Sequence, residues 1–129
     1  MGQAQKRPAV LIVEDDADVR RLTVALLEDE QLDTIECESA EAALAVMLLG
    51  GREVAMILAD VRLPGVMNGV DLAWEVKLRW PRLPMILTSG YPREGVRELP
   101  PGVAYMSKPW QPLTVLIVAE QARANPWNR

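Results

Sequence analysis

The 129-residue chain contains no histidine. That absence excludes Ser-His-Asp and Cys-His catalysis, histidine-ligated zinc, and a phosphohistidine carried on the chain itself. A single cysteine, Cys37, excludes an internal disulfide and suits a reducing cytoplasm. No apolar run approaches the roughly 18 residues of a membrane-spanning helix. The basic pair Lys6-Arg7 is not followed by a long apolar core, so the N-terminus does not read as a signal peptide. Positive charge is also short. Fourteen Lys and Arg against eighteen Asp and Glu leave a net charge of −4, which argues against non-specific binding to nucleic acid or anionic membrane. There is no internal repeat, no low-complexity stretch, no GxGxxG after a strand and no Walker A loop, so nucleotide binding is not expected. Any chemistry must run on carboxylates, hydroxyls, lysine and arginine.

What is present is globular. Half the residues are apolar and a quarter are charged, in a length that suits one domain. Short apolar runs alternate with helical periodicities. Ala9–Val13, Val54–Ala59, Pro84–Leu87 and Val103–Met106 read as strands, and Leu32–Cys37 as a half-polar edge strand. Between them, Asp16–Glu30 reads as a one-sided helix through Val19, Leu22 and Leu26. A second helix follows Ser39 as N-cap and stops at Gly50-Gly51. A third spans Gly69–Trp80, and the last spans Leu113–Ala124. Tyr91–Leu99, crowded by Pro92, Gly95 and Pro100, supports at most a short irregular helix, fourth in the expected series. Five β-α units with crossover helices imply a mainly parallel sheet in a three-layer α/β/α sandwich. The boundaries expected are a flexible N-terminus over 1–7, one domain over 8–124 and a tail over 125–129. Trp74 and Trp80 read as helix packing, and Cys37 as a small strand-end residue.

Polar residues stand where the apolar runs stop. Glu14, Asp15 and Asp16 follow the first strand, Asp60 the third, Thr88 and Ser89 the fourth, and Ser107 and Lys108 the fifth. In a parallel sheet these positions share the C-terminal edge, where open α/β folds bind ligands. Two carboxylates about 5 Å apart repel by roughly 3 kcal/mol at an effective dielectric near 20. Such a cluster either raises a pKa or takes a divalent cation. Oxygen ligands without histidine or thiolate favour Mg²⁺. Carboxylates, Mg²⁺, a hydroxyl and a lysine are the parts that phosphoryl transfer needs.

The segments Val10-Leu11-Ile12-Val13-Glu14-Asp15-Asp16, Ile57-Leu58-Ala59-Asp60-Val61-Arg62-Leu63-Pro64-Gly65, Leu87-Thr88-Ser89-Gly90-Tyr91 and Tyr105-Met106-Ser107-Lys108-Pro109 resemble the receiver domain of two-component response regulators. The resemblance runs from about Pro8 to Ala124. It implies a flavodoxin-like sheet of five parallel strands in order 2-1-3-4-5. It implies that Asp60 is the phosphoacceptor, taking a phosphoryl group from a histidine kinase or phosphotransfer protein. It implies that Asp15 binds Mg²⁺ directly, Glu14 through water, and that Asp60 and the backbone carbonyl of Arg62 complete the metal site. Ser89 and Lys108 would contact phosphate oxygens after transfer, and Tyr105 would be the aromatic that reports the state of Ser89. The Lys108–Pro109 bond would be cis. Four departures stand out, the first being a short segment between Ser89 and Lys108. Glu14 takes the place of a commoner Asp, and Ser89 that of a commoner Thr. The loop Leu63–Gly69 carries one residue more than the shortest family form.

The chain ends five residues after Ala124, so the expectation is a stand-alone, cytoplasmic domain whose output is a protein contact; a piece of a hybrid kinase is the other possibility. The consecutive apolar residues Val115–Ala119 cover more than one helix face, which suggests a symmetric homodimer through the last helix and the neighbouring strand. Two further readings compete: a receiver-like binding module that takes no phosphate, and a Mg²⁺-dependent phosphohydrolase working through an aspartyl phosphate. The second usually needs a carboxylate two residues after its nucleophile, where this chain has Arg62.

Overall fold

The computed structural model describes residues 8–50, 53–90 and 99–124. The expected N-terminal arm, most of the expected fourth helix and the C-terminal tail lie outside the described residues. In chain order the elements are β1 (Ala9–Val13), α1 (Ala17–Asp29), β2 (Asp33–Cys37), α2 (Ala40–Leu49), β3 (Val54–Asp60), α3 (Gly69–Arg79), β4 (Met85–Ser89), β5 (Val103–Ser107) and α4 (Pro112–Ala124). All strand pairs are parallel and the order is β2-β1-β3-β4-β5, as the resemblance implies.

The apolar strands are buried on both faces, so successive residues feed opposite cores. Leu11, Val13, Ile57, Ala59, Met85 and Leu87 pack toward α2 and α3. Val10, Ile12, Met56, Leu58 and Ile86 pack toward α1 and α4, against Leu27, Val115 and Ala119. Each fully buried Leu or Ile contributes about 1.5–3 kcal/mol relative to an exposed one. Local chemistry sets the helix ends. Asp16 caps α1 and Ser39 caps α2, each through a side-chain oxygen. Asn68 and Asp71 form a capping box on α3. Gly50 closes α2 at φ 65°, a left-handed turn that favours glycine.

One helix face differs from its sequence reading. On α1, Leu22 and Leu26 are 63% and 39% exposed, while Thr23 and Leu27 are buried. Thr23 satisfies its hydroxyl on the Val19 carbonyl at 2.9 Å, so it can enter the core without an unpaired polar atom. Trp74 also departs from the packing expected of it and is half exposed, whereas Trp80 packs against the α2–α3 core.

The order of the strands places a winding reversal between β1 and β3. Loops leaving these neighbours diverge to opposite faces and open a crevice at the carboxyl edge of the sheet. Gly69, where α3 begins, closes the far end of the β3–α3 loop. Its N–H donates to the Val61 carbonyl at 2.8 Å, and a Cβ there would lie 2.2 Å from the Asp60 carbonyl oxygen.

Candidate functional site

The crevice is built from strand ends. Beyond β1, Glu14 is buried and Asp15 is exposed. The turn carrying them is fixed from several sides. The Glu14 N–H donates to the Cys37 carbonyl at 3.0 Å, and the Asp16 N–H donates to Glu14 Oε2 at 3.2 Å. Asp16 then starts α1, its Oδ1 accepting from the N–H groups of Asp18 and Val19 at 2.9 and 3.1 Å. Arg20, one turn into the helix, reaches back: Nη1 donates to the Glu14 carbonyl at 2.7 Å and Nε to Glu36 at 3.1 Å.

Asp60 is the last residue of β3, and Lys108 follows β5. The Lys108 ammonium lies 2.9 Å from Asp60 Oδ2 and 3.2 Å from Glu14 Oε1. Asp60 Oδ1 accepts from the Arg62 N–H at 3.2 Å, which folds the next loop over the acid. Lys108 is held at its backbone too, its N–H donating to the Ser89 carbonyl at 2.7 Å. The Lys108–Pro109 peptide is cis. Glu14, Asp15, Asp60, Arg62, Leu63 and Lys108 stand in the wall of one open cavity of about 510 Å³.

Ser89 and Tyr105 are not in that wall. Ser89 is 1% exposed, and Tyr105 is partly buried against the α2–α3 core. The alternation along the strands accounts for this. Glu14 and Asp60 continue the parity of Ile12 and Leu58, toward α1 and α4, whereas Ser89 continues that of Leu87, toward the other side. Thr88, in register with Asp60, is buried.

The charges perturb one another. Burial pushes the Glu14 carboxyl above its ordinary range, the Asp16 N–H and Lys108 pull it down, and Asp60 adds to the rise. Burial alone would lower the Lys108 ammonium. Asp60 and then Glu14 outweigh it, so the group titrates above its usual value. The cavity therefore holds more carboxylates than cations, with the Lys108 ammonium set between Asp60 and Glu14. One oxygen from each of Glu14, Asp15 and Asp60 lies within 4.8 Å of the others. An all-oxygen set of this charge fits a hard divalent cation, and Mg²⁺ in particular, which keeps several waters and needs few protein ligands.

Beside the acid cavity lies a groove of about 410 Å³, lined chiefly by the exposed Leu22 and Leu26 of α1 with Pro109 and Trp110. Val19 and Lys108 belong to both. Sequence reasoning missed two contributors to this region. Arg20 carries a local signal, since it sits one turn beyond the acidic N-cap. Glu41 carries none. Its partners Val66 and Met67 are 25 and 26 residues away.

A doubly wound parallel sheet with an acid–lysine crevice at its carboxyl edge has that crevice where open α/β folds take their ligands. The family model of the response regulator receiver domain matches residues 10–118, and the chain belongs to that family. Members are signalling modules that bind Mg²⁺ at an acidic pocket and interact with histidine kinases or phosphotransfer proteins. The hydrogenase transcriptional regulatory protein HoxA of Cupriavidus necator is 34% identical over 128 residues, covering 92% of this chain and 25% of its own length. The response regulator protein FleR of Pseudomonas aeruginosa is 33% identical over 117 residues, 88% of this chain and 24% of its own. The chain thus spans about a quarter of each of these relatives. Among solved structures, a CheY-like receiver domain protein from Methanospirillum hungatei is 30% identical with a TM-score of 0.74, covering 91% of this chain and 94% of that one. A receiver domain from Clostridium thermocellum shares the fold at a TM-score of 0.80 and 18% identity, covering 92% of this chain and 95% of its own.

Proposed function

We propose that Asp60 accepts a phosphoryl group from a phosphohistidine of a sensor histidine kinase or phosphotransfer protein, and that the phosphorylated pocket reshapes a protein-binding surface. The observation that carries this reading is the Lys108 ammonium 2.9 Å from the Asp60 carboxylate, inside a cluster that also holds Glu14 and Asp15. A carboxylate oxygen of Asp60 forms the new O–P bond while the P–N bond to the donor imidazole breaks. The imidazole leaves with the electron pair and takes a proton from solvent. Glu14, Asp15, Asp60 and the Arg62 carbonyl would hold Mg²⁺. Bound there, the ion offsets the charge of the incoming phosphoryl oxygens. Lys108 starts on Asp60 and follows the negative charge outward, donating to a phosphoryl oxygen. Ser89 donates its hydroxyl to another. Because Ser89 and Tyr105 are linked with the α2–α3 side of the sheet, their rearrangement carries the change from pocket to surface.

The donor protein packs its apolar surface on the groove of Leu22, Leu26 and Trp110, which abuts the acid cavity. The domain acts on no other substrate: its chemistry is its own phosphorylation and dephosphorylation, in the cytoplasm where such kinases present their phosphohistidine. The exposed Leu113 and Ile117 of α4 support pairing of two copies through that helix; light scattering with and without a phosphate mimic would refute it by returning a monomer at high micromolar concentration.

Incubation with Mg²⁺ and acetyl phosphate, read by intact mass, tests the central reading. One phosphoryl adduct is expected on the wild type and none on Asp60→Asn. No adduct despite Mg²⁺ binding would leave a silent binding module. Continuous turnover of phosphate esters would point to a phosphohydrolase.

A further inference from the structure

We propose that Glu41, at the start of α2, is a positioning residue for the acceptor site, clamping the loop that follows Asp60; this rests on the phosphoacceptor reading above. The β3–α3 loop is fixed at its base without Glu41. The Val61 N–H donates to the Thr88 carbonyl at 2.8 Å, the Gly69 N–H donates to the Val61 carbonyl, and Asn68 is locked in its capping box. Its tip is held differently. Glu41 Oε2 accepts the N–H groups of Val66 and Met67 at 3.0 and 2.9 Å. Hydrogen bonds to an ionised acceptor are roughly twice as strong as neutral ones. The bond from Met67 foremost, then that from Glu41's own N–H, and last that from Val66 hold the Glu41 carboxyl below its ordinary range.

The loop is cut to admit the carboxylate. Gly65 sits at φ 91°, and a Cβ there would come within 2.9 Å of Glu41 Oε1. Val66 is 94% exposed, so the apolar anchoring of the tip falls to Met67, partly buried against the α2–α3 core. Between base and tip run Arg62, Leu63 and Pro64, which line the acid cavity. A restraint at 66–67 therefore sets where that wall stands, including the Arg62 carbonyl. Glu41 touches neither the acids nor Lys108, so its action is through the loop.

The bland alternative is an acid in the first turn of a helix, favourable to the α2 dipole and nothing more. Amide exchange separates the two. In the metal-free protein Glu41→Ala should accelerate exchange at Val66 and Met67 while amides within α2 hold their wild-type rates. Its Mg²⁺ dissociation constant, measured by calorimetry, should rise about tenfold, in line with loss of partners that orient metal ligands. The rate of phosphorylation by acetyl phosphate at subsaturating Mg²⁺ should fall by the same factor and recover at saturation. Glu41→Gln, which keeps an acceptor oxygen, should regain most of the affinity. Unchanged exchange at Val66 and Met67, or faster exchange with wild-type Mg²⁺ affinity, would overturn the proposal. A wild type that binds Mg²⁺ but gains no phosphoryl group would defeat the phosphoacceptor reading instead, leaving the affinity and exchange comparisons to judge the clamp.

Discussion

Replacing Lys108 by methionine keeps the aliphatic stem and removes the ammonium from between Asp60 and Glu14. At an effective dielectric near 20, contacts at 2.9 and 3.2 Å are each worth about 5–6 kcal/mol of gross Coulomb attraction. Carboxylate oxygens within 4.8 Å repel by at least about 3.5 kcal/mol per pair on the same scale. Desolvation cancels much of the attraction. Breaking a fully buried pair costs about 3–5 kcal/mol and an exposed one under about 1 kcal/mol. The Lys108 side chain is 28% exposed and its partners 8% and 11%, which places the loss between those limits, at about 2 kcal/mol. For a domain of this size that lowers Tm by roughly 6–10 °C. The assay is thermal unfolding by circular dichroism, first with EDTA and then with millimolar Mg²⁺. If the lysine is the resident counter-charge, the cation should raise Tm more in Lys108→Met than in the wild type. A metal-free Tm within a degree of the wild type, or equal Mg²⁺ shifts in both proteins, would refute the electrostatic account.

The remaining predictions test other parts of the molecule. Gly69→Ala should cost about 3 kcal/mol or more in urea unfolding, because its Cβ would meet the backbone of Asp60, whereas Gly90→Ala, with nothing within 4 Å, should stay within about 0.5 kcal/mol. Leu22→Asp should slow transfer from a phosphorylated kinase about tenfold while acetyl phosphate labels Asp60 at the wild-type rate, since Leu22 lines the groove proposed for a protein donor and not the acid cavity. Equal slowing of both donors would contradict that division. The clamp has a pH signature. The folded pKa of Glu41 is depressed, so the stability it lends is complete above the ordinary 4.5 and is lost as pH falls through the folded value. The amide resonances of Val66 and Met67 should titrate together with a midpoint below 4.5, and should stop doing so in Glu41→Gln.

Layering was legible because β1, β3 and β4 are apolar on both faces, as strands of a helix-covered parallel sheet are, whereas the strand order came from the resemblance to receiver domains. The acid cluster was legible for a related reason. Glu14, Asp60 and Lys108 each stand where such a run stops, and parallel strands stop at one edge. The depth of Ser89 was not. A strand end gives the edge but not the side of the sheet, and one residue of shift turns a side chain from the α1–α4 face to the α2–α3 face. The buried face of α1 was misread because Leu22 and Leu26 look like core, while Thr23 hides its hydroxyl on its own helix. Glu41 lay beyond reach because its contact joins two elements whose approach only the folded chain determines.

The double contact of Lys108 gives the resting domain a plug of its own making. On the phosphoacceptor reading, a cation arriving from solution would share Asp60 and Glu14 with the tethered one, so loading the pocket would loosen the cap on the nucleophile. Under divalent starvation the acceptor would sit capped rather than idle, and the same tether would stand ready to greet the new anion once transfer is complete.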